Sequence, residues 1–332
     1  MIEEIEIVEY KGFKNLKLEN LSQINIISGE NNIGKTALLE ALFIYEAINK
    51  AFDNIYPSFG GLARTTFSLI AKNRNINEKK LKRYLQNITY KTKDLKIQSK
   101  NIYELNDRER EEIKKFNQDY TQFIVGYKNN KLDITTIDNA YNYSNMFYTN
   151  YINSSKPTNK NLVELYSNIQ SKGIQHKFLN YLKLLDNNIE WIEPQLLDDE
   201  MLLRINLKNP ELSLVSSELG EGTNRYIEIL ASLLSNPKGT VFIDEVENGI
   251  HYTKLYDIWR AIIEIVQKED IQLFVTTHDL ESIEALALAS EDMKFKEITS
   301  IKLTKDTENK IYPIIRNYSS FLATVNSGMD IR

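Results

Sequence analysis

Eight consecutive residues near the N-terminus combine glycines, a lysine and a hydroxyl at fixed spacing. They follow the pattern G-x-x-x-x-G-K-[ST] and are Gly29, Glu30, Asn31, Asn32, Ile33, Gly34, Lys35 and Thr36. Glycines let the backbone curl so that successive N–H groups point at one anion, and the following helix adds its positive end. We therefore expect the loop to bind the phosphates of ATP, with Lys35 at the β- and γ-phosphates and the Thr36 hydroxyl on Mg²⁺.

A second candidate for chemistry is a pair of acids at the end of an apolar run. Val241–Ile243 predicts a buried strand, and Asp244 and Glu245 follow it directly. Open parallel sheets bind ligands at the carboxyl ends of their strands. Asp244 is expected to hold Mg²⁺, through water, and Glu245 to orient or deprotonate an attacking water. The alternative is a solvated pair of acids, which the phosphate loop makes the weaker interpretation.

The surrounding pattern predicts elements that would position both groups. Ile24–Ser28 is a short apolar run ahead of the loop, and helical spacing of apolar residues begins at Leu38. Leu162–Leu185 is predicted to be helical. Beyond residue 200, strands at 201–214, 240–244, 271–276 and near 297–303 and 311–316 alternate with helices of 10–15 residues, which indicates a parallel sheet covered on both faces.

These patterns predict an α/β fold of the P-loop NTPase type. A mainly parallel central sheet flanked by helices is expected, with an N-terminal antiparallel β subdomain and an inserted mixed, largely helical subdomain. The predicted boundaries are 1–51 for the N-terminal lobe, 52–200 for the insertion and 201–332 for the C-terminal lobe.

Three weaker features stand in a telling order around the acids. They are the glycine-rich helix start LGEGTNR (219–225), the post-acid stretch within FIDEVENGIH (242–251), and the histidine of QLFVTTHD (272–279). With the phosphate loop, this order resembles the ABC-type ATPase head. The phrases are most similar to stand-alone OLD- and RecF-like members filed as AAA-family ATP-binding proteins. The resemblance covers residues 1–50 and about 200–332.

The resemblance implies a head-to-tail homodimer in which one protomer's signature caps ATP on the other. It assigns Gly220, Gly222 and Arg225 to that signature in trans and His278 to the γ-phosphate and the attacking water. It also assigns Asn248 and His251 to a loop that crosses the dimer interface. Lys14 and Asn15, in the N-terminal sheet, are assigned to contacts with the nucleotide.

Two residues depart from the usual ABC pattern. Gly220 stands where many heads have the signature serine, and Asp279 stands where many have serine after the histidine. Both leave nucleotide binding intact and leave the rate of hydrolysis open. The glutamine that links Mg²⁺ to the inserted subdomain is not placed.

The segment Lys72–Lys100 is strongly basic. It carries ten Lys or Arg residues against two acids, a local net charge of +8. Tyr84 and Tyr90 lie among these cations, so the segment could follow phosphates and stack on bases of a nucleic acid. A solvated hairpin is the favoured alternative, because a charge run outside a recognised binding fold is weak support.

Composition excludes several classes of protein. The chain has no cysteine, which rules out disulfides, thiolate metal sites and cysteine nucleophiles. Its formal net charge is −5, and it has no apolar run of about 18 residues that would cross a membrane. A cytoplasmic location is expected.

Several functions remain open at this stage. The first is an ATPase engine that drives or gates a separate partner protein, for example in anti-phage defence. The second is an ATP sensor of low turnover that controls an effector nuclease or toxin. The third is a RecF-like ATPase of DNA transactions, and a transporter subunit fits the motifs less well.

Overall fold

The computed structural model describes residues 1–53, 89–91, 122–128, 131–137, 150–329 and 331. The basic segment Lys72–Lys100 lies outside these residues except for Thr89–Lys91, and so does most of the predicted insertion before residue 150. The strands in the described residues are β1 (Ile5–Tyr10), β2 (Phe13–Leu18), β3 (Ile24–Gly29), β4 (Thr89–Lys91), β5 (Gln122–Lys128), β6 (Lys131–Ile137), β7 (Tyr151–Ile152), β8 (Ile189–Leu197), β9 (Glu200–Leu207), β10 (Leu214–Val215), β11 (Thr240–Ile243), β12 (Gln272–Thr276), β13 (Ile298–Lys305) and β14 (Ile311–Arg316). The helices are α1 (Lys35–Asp53), α2 (Asn159–Ser171), α3 (Gln175–Leu182), α4 (Glu221–Ser235), α5 (Tyr252–Glu269), α6 (Leu280–Asp292) and α7 (Tyr318–Asn326).

The central sheet has six strands in the order β14-β13-β3-β12-β11-β7. All neighbours run parallel except β14, which pairs antiparallel with β13. The carboxyl ends of β3, β12 and β11 therefore meet at one edge. Since neighbouring strands lie about 4.8 Å apart, the ends of β3 and β11 are about 10 Å apart across β12, a gap that the loop and its side chains can span.

Apolar side chains cover both faces of this sheet. Successive residues of a strand point to opposite faces, so Val241 and Ile243 join one core cluster and Phe242 joins the other. Phe242 stacks on Phe274 of β12, with ring centroids 5.5 Å apart. One face carries helices that include α4, α5 and α6, and the other carries α1 and the N-terminal sheet. This arrangement confirms the predicted fold class.

The N-terminal strands form a separate antiparallel sheet in the order β2-β1-β4. The chain turns between β1 and β2 at Lys11, whose φ is 50°. Lys11 forms an ion pair with Glu40 of α1 at 2.5 Å. The sheet is thereby fixed to the helix that follows the phosphate loop.

The C-terminal part of the predicted insertion packs onto the central sheet and its helices. Helix α2 contacts α4 and β9, and Leu162 and Phe178 are buried in the same cluster as β11. The single helix predicted over Leu162–Leu185 is interrupted at Gly173, which has a φ of 67°. The boundary predicted at residue 200 falls in the hairpin that joins β8 to β9.

No helix among the residues described here is both long enough and apolar enough to cross a membrane.

Candidate active site

The phosphate loop is a tightly packed curl between β3 and α1. Gly29 and Gly34 have φ values of 141° and 112°, which side chains rarely adopt. A Cβ at Gly29 would lie 2.7 Å from the Leu303 carbonyl oxygen, and one at Gly34 would lie 3.1 Å from the Phe13 ring. Both glycines are required by geometry, and α1 begins at Lys35 with its free N–H groups directed into the loop.

Lys35 lies within the curl that it follows. Its ammonium donates to the carbonyl oxygens of Gly29, at 2.7 Å, and Glu30, at 3.0 Å. Burial lowers the pKa of Lys35, while the carboxylates of Glu245, Glu247 and Asp244 oppose that shift. This cation therefore lies between the loop and the acids, where a nucleotide's terminal phosphates would give it further partners.

Asp244 and Thr36 meet although 208 residues separate them in sequence. The Thr36 hydroxyl donates to Asp244 Oδ1 at 3.1 Å, and the Thr276 hydroxyl donates to the same oxygen at 2.6 Å. Burial raises the pKa of Asp244, and these two hydrogen bonds lower it. A hydroxyl and a carboxylate held together are the oxygen donors that Mg²⁺ prefers, so these residues fit the metal of a nucleotide site.

Glu245 adopts a left-handed backbone conformation, with a φ of 53°. Such a conformation is uncommon for a residue with a side chain, and surrounding contacts must hold it. The Glu245 N–H donates to Thr276 Oγ1 at 2.8 Å, and its carbonyl accepts from Arg225 at 3.2 Å. The turn leaves the Glu245 side chain 37% exposed, with its carboxylate 3.9 Å from His278 Nδ1.

His278 lies next to a second acid that sequence analysis did not single out. Its side chain is half exposed, and its Nδ1 lies 3.1 Å from the buried carboxylate of Glu247. Thr276 was also missed, although it is the last residue of β12, the strand between the loop and the acids. Position at that strand end was the signal that could have found it.

Arg225 does not lie where the resemblance placed it. Its guanidinium is buried and donates to the carbonyl oxygens of Asn153 at 2.6 Å and Asp244 at 2.5 Å. It also pairs with Glu228 at 3.0 Å. Burial raises the pKa of Glu228 to about 7 despite that pair. Arg225 thus joins α4 to the end of β11 within one chain.

This buried cation leads to a stability prediction. Replacing Arg225 with methionine keeps most of the volume but leaves Glu228 and three carbonyls without it. We expect the free energy of unfolding to fall by about 3–5 kcal/mol, measured by chemical denaturation. Adding Glu228→Gln removes the unpaired charge and should recover part of that loss. A loss below about 1 kcal/mol for Arg225→Met would contradict a structural role.

The glycine-rich start of α4 and the post-acid stretch contact each other. A Cβ at Gly222 would lie 2.4 Å from the Gly249 carbonyl oxygen, whereas a Cβ at Gly220 would meet nothing within 4 Å. The Asn248 amide donates to the Ser154 carbonyl at 2.6 Å. His251 is exposed and caps α5. Of the predicted signature residues, Gly220 is therefore the one that is open to another molecule.

The remaining predicted residues lie near the loop or cap a helix. Lys14 and Asn15 are exposed and follow Phe13, the residue whose ring contacts Gly34. Asp279, the departure after His278, caps α6 by accepting from the Glu281 N–H at 3.1 Å. The departure thus has a local structural reason.

Comparison with known proteins agrees with this fold and with the order of these motifs. Residues 24–284 match the family model described as "AAA domain, putative AbiEii toxin, Type IV TA system". The chain belongs to this AAA-domain family. It is an ABC-type P-loop ATPase, as its fold and the order of its motifs predicted, and the finer OLD- and RecF-like placement stays a prediction.

Two relatives of this AAA-domain ATPase have names that refer to ATP. An "ATP/GTP phosphatase" of Helicobacter pylori is 25% identical over 356 positions, which cover 94% of this chain and 95% of that protein. A Mycoplasma genitalium protein named "Probable ABC transporter ATP-binding protein p29" is 29% identical over 135 positions, 39% of this chain and 53% of its own. The solved Smc head bound to the C-winged helix domain of ScpA has a TM-score of 0.53 at 13% identity, over 96% of this chain and 98% of its own. That likeness shows the fold alone.

Proposed function

We propose that this AAA-domain ATPase hydrolyses ATP with Mg²⁺ at the edge where β3, β12 and β11 end. The observation that carries the proposal is the Thr36–Asp244 hydrogen bond of 3.1 Å, because it joins the phosphate loop to the acidic strand end. Glu245 and His278 lie beside that pair. The Helicobacter relative's name, which includes both ATP and GTP, supports cleavage of a nucleoside triphosphate.

Each residue of the site has a separate role in the proposed reaction. Main-chain N–H groups of the loop and the Lys35 ammonium bind the β- and γ-phosphates and offset the charge that develops on them. Thr36 and Asp244 would hold Mg²⁺, which neutralises phosphate charge when bound. Glu245 would accept a proton from the attacking water. His278 would contact the same water and the γ-phosphate oxygens.

The proposal includes a head-to-tail homodimer formed on ATP. Helix α4 has its N-cap at Gly220, which is exposed and has open space where a Cβ would stand. Free N–H groups at a helix start attract anions, so this end of α4 suits the γ-phosphate of a nucleotide on a second copy. Gly222 supports it from behind, against Gly249.

A bulky residue at Gly220 tests the dimer. The φ of Gly220 is −59°, which any residue adopts, so Gly220→Trp should leave the melting temperature unchanged. We expect monomers that bind ATP normally but do not dimerise, measured by light scattering, with hydrolysis reduced by at least about 10²-fold. Lys296→Trp is the matched control, because Lys296 is exposed just before β13, at the opposite edge of the sheet. A Gly220→Trp protein that dimerised and turned over normally would refute the arrangement in trans.

A separate partner protein completes the proposal. The β8–β9 hairpin exposes Leu196, Leu197 and Met201 around an acidic turn, and clustered exposed apolar side chains mark contact sites. The hairpin leads through β10 into α4, so closure of the dimer on ATP could be transmitted to a protein bound there. The family description's toxin and toxin–antitoxin system agree with control of an effector.

A further inference from the structure

Glu247 is a buried acid whose Oε1 lies close to both the backbone and the ring of His278. It is 7% exposed and lies three residues after Asp244. Its Oε1 accepts from the His278 backbone N–H at 3.0 Å and lies 3.1 Å from His278 Nδ1. One oxygen thereby fixes both the backbone and the ring of the histidine.

The 3.1 Å contact between Nδ1 and this oxygen sets which ring nitrogen carries hydrogen when Glu247 is ionised. An ionised carboxylate oxygen can only accept, so Nδ1 is placed to donate. In the neutral ring, Nε2 is then left with a lone pair, since the partner of one nitrogen sets the state of the other. Nε2 can accept a hydrogen bond from water. When the ring is charged, Nε2 can instead donate a hydrogen bond to a phosphate oxygen.

Glu245 is less suited to this task, although it directly follows Asp244 in the chain. Its carboxylate lies 3.9 Å from His278 Nδ1, beyond hydrogen-bond distance, and its side chain is 37% exposed. Burial raises the pKa of Glu247, and its hydrogen bonds with His278 and Thr277 lower it. The buried acid and the histidine therefore stabilise each other's positions.

We infer that Glu247 is the positioning residue of His278, holding the ring with Nδ1–H toward the protein and Nε2 toward the nucleotide. Its effect on turnover rests on the proposed function, whereas its effect on the ring does not. Glu245 remains free to act on the water.

The state of the ring can be measured without nucleotide. The chain has three histidines, His176, His251 and His278, so nitrogen NMR of protein labelled at histidine gives a simple spectrum, which His278→Ala assigns. In the neutral ring we expect the Nδ1–H form of His278. Glu247→Ala should convert it to the Nε2–H form usual for free histidine, and Glu247→Gln should keep the Nδ1–H form because its amide oxygen still accepts. Glu245→Gln is the matched control for this spectrum and should leave the His278 ring in the Nδ1–H form.

Kinetics supply the second arm. Glu247→Ala should lower kcat by about 10- to 100-fold, the usual effect of losing a group that orients a functional histidine, with KM little changed. The Glu247→Ala, His278→Ala double variant should be no slower than His278→Ala alone, because both changes remove one unit. Glu247→Gln should retain most activity, which separates positioning from a need for charge.

The outcomes are distinct. An Nε2–H ring in the wild-type protein, or an Nδ1–H ring that survives Glu247→Ala, overturns the inference, and so do multiplicative losses in the double variant. If Glu247→Ala does not fold, Glu247→Asp, whose carboxylate is one methylene short, takes its place in both arms. A wild-type protein without ATP turnover would refute the proposed function alone, since the ring still reports on Glu247.

Discussion

Lys35→Ala is expected to abolish nucleotide binding at concentrations that saturate the wild-type protein. The ammonium would make two or more charge-assisted hydrogen bonds to the terminal phosphates, each worth about 1.5–3 kcal/mol. Losing two of them corresponds to a rise in Kd of about 10²- to 10⁴-fold. Titration calorimetry with ATP and Mg²⁺ measures this directly.

The same lysine also contributes to the loop, so the variant needs a control for folding. Its two hydrogen bonds to the Gly29 and Glu30 carbonyls disappear with it. Lys35→Met retains the aliphatic stem and separates packing from charge. Lys17→Ala removes an exposed lysine from β2 and should leave Kd unchanged. A Lys35→Ala protein that is folded and binds ATP within about threefold of wild type would contradict the proposed site.

Glu245→Gln is expected to stop hydrolysis while leaving binding intact. The amide keeps the size of the side chain and its backbone position, so Thr276 and Arg225 still hold the turn. The amide cannot accept a proton from water. Loss of a general base lowers kcat by about 10²- to 10⁴-fold. We expect a phosphate-release assay to show this loss and light scattering to show an ATP-bound dimer that persists.

The control for this variant is Glu281→Gln, an exposed acid in the first turn of α6. It alters net charge by the same amount and should not affect turnover. Wild-type turnover by Glu245→Gln would show that another group, such as His278, acts on the water. If both Glu245→Gln and Lys35→Ala hydrolysed ATP normally, the proposed site itself would be wrong.

Much of the fold could be predicted because its signals are local. The alternation of strands and helices beyond residue 200 is confirmed, with TVFI, QLFVT and the two C-terminal strands where the apolar runs indicated. The helix predicted over Leu162–Leu185 was wrong in one respect, because Gly173 divides it in two. Helix α7 was not predicted, since its apolar residues form no long stripe.

Arg225, which the resemblance assigned to a signature in trans, has buried contacts within its own chain. A resemblance places a residue along the chain, but it does not say which way its side chain points. On α4, Gly220 is open, while Arg225, on the second turn, points into the core toward Asp244 and Glu245. The departure at Asp279 was likewise a helix cap, which only its φ and its bond to Glu281 revealed.

By itself, the sequence determined the parts of the site that a few neighbouring residues build. The curl of Gly29–Thr36 and the strand that ends in Asp244 follow from local backbone rules. Tertiary structure alone decided that Thr276 would bond to both Asp244 and Glu245, and that Arg225 would hold the left-handed turn at Glu245. It also decided that the Glu247 carboxylate would contact His278. Those contacts link residues 19 to 32 positions apart. The order of strands in the sheet and the direction of each side chain set such contacts, and neither is written in a local pattern.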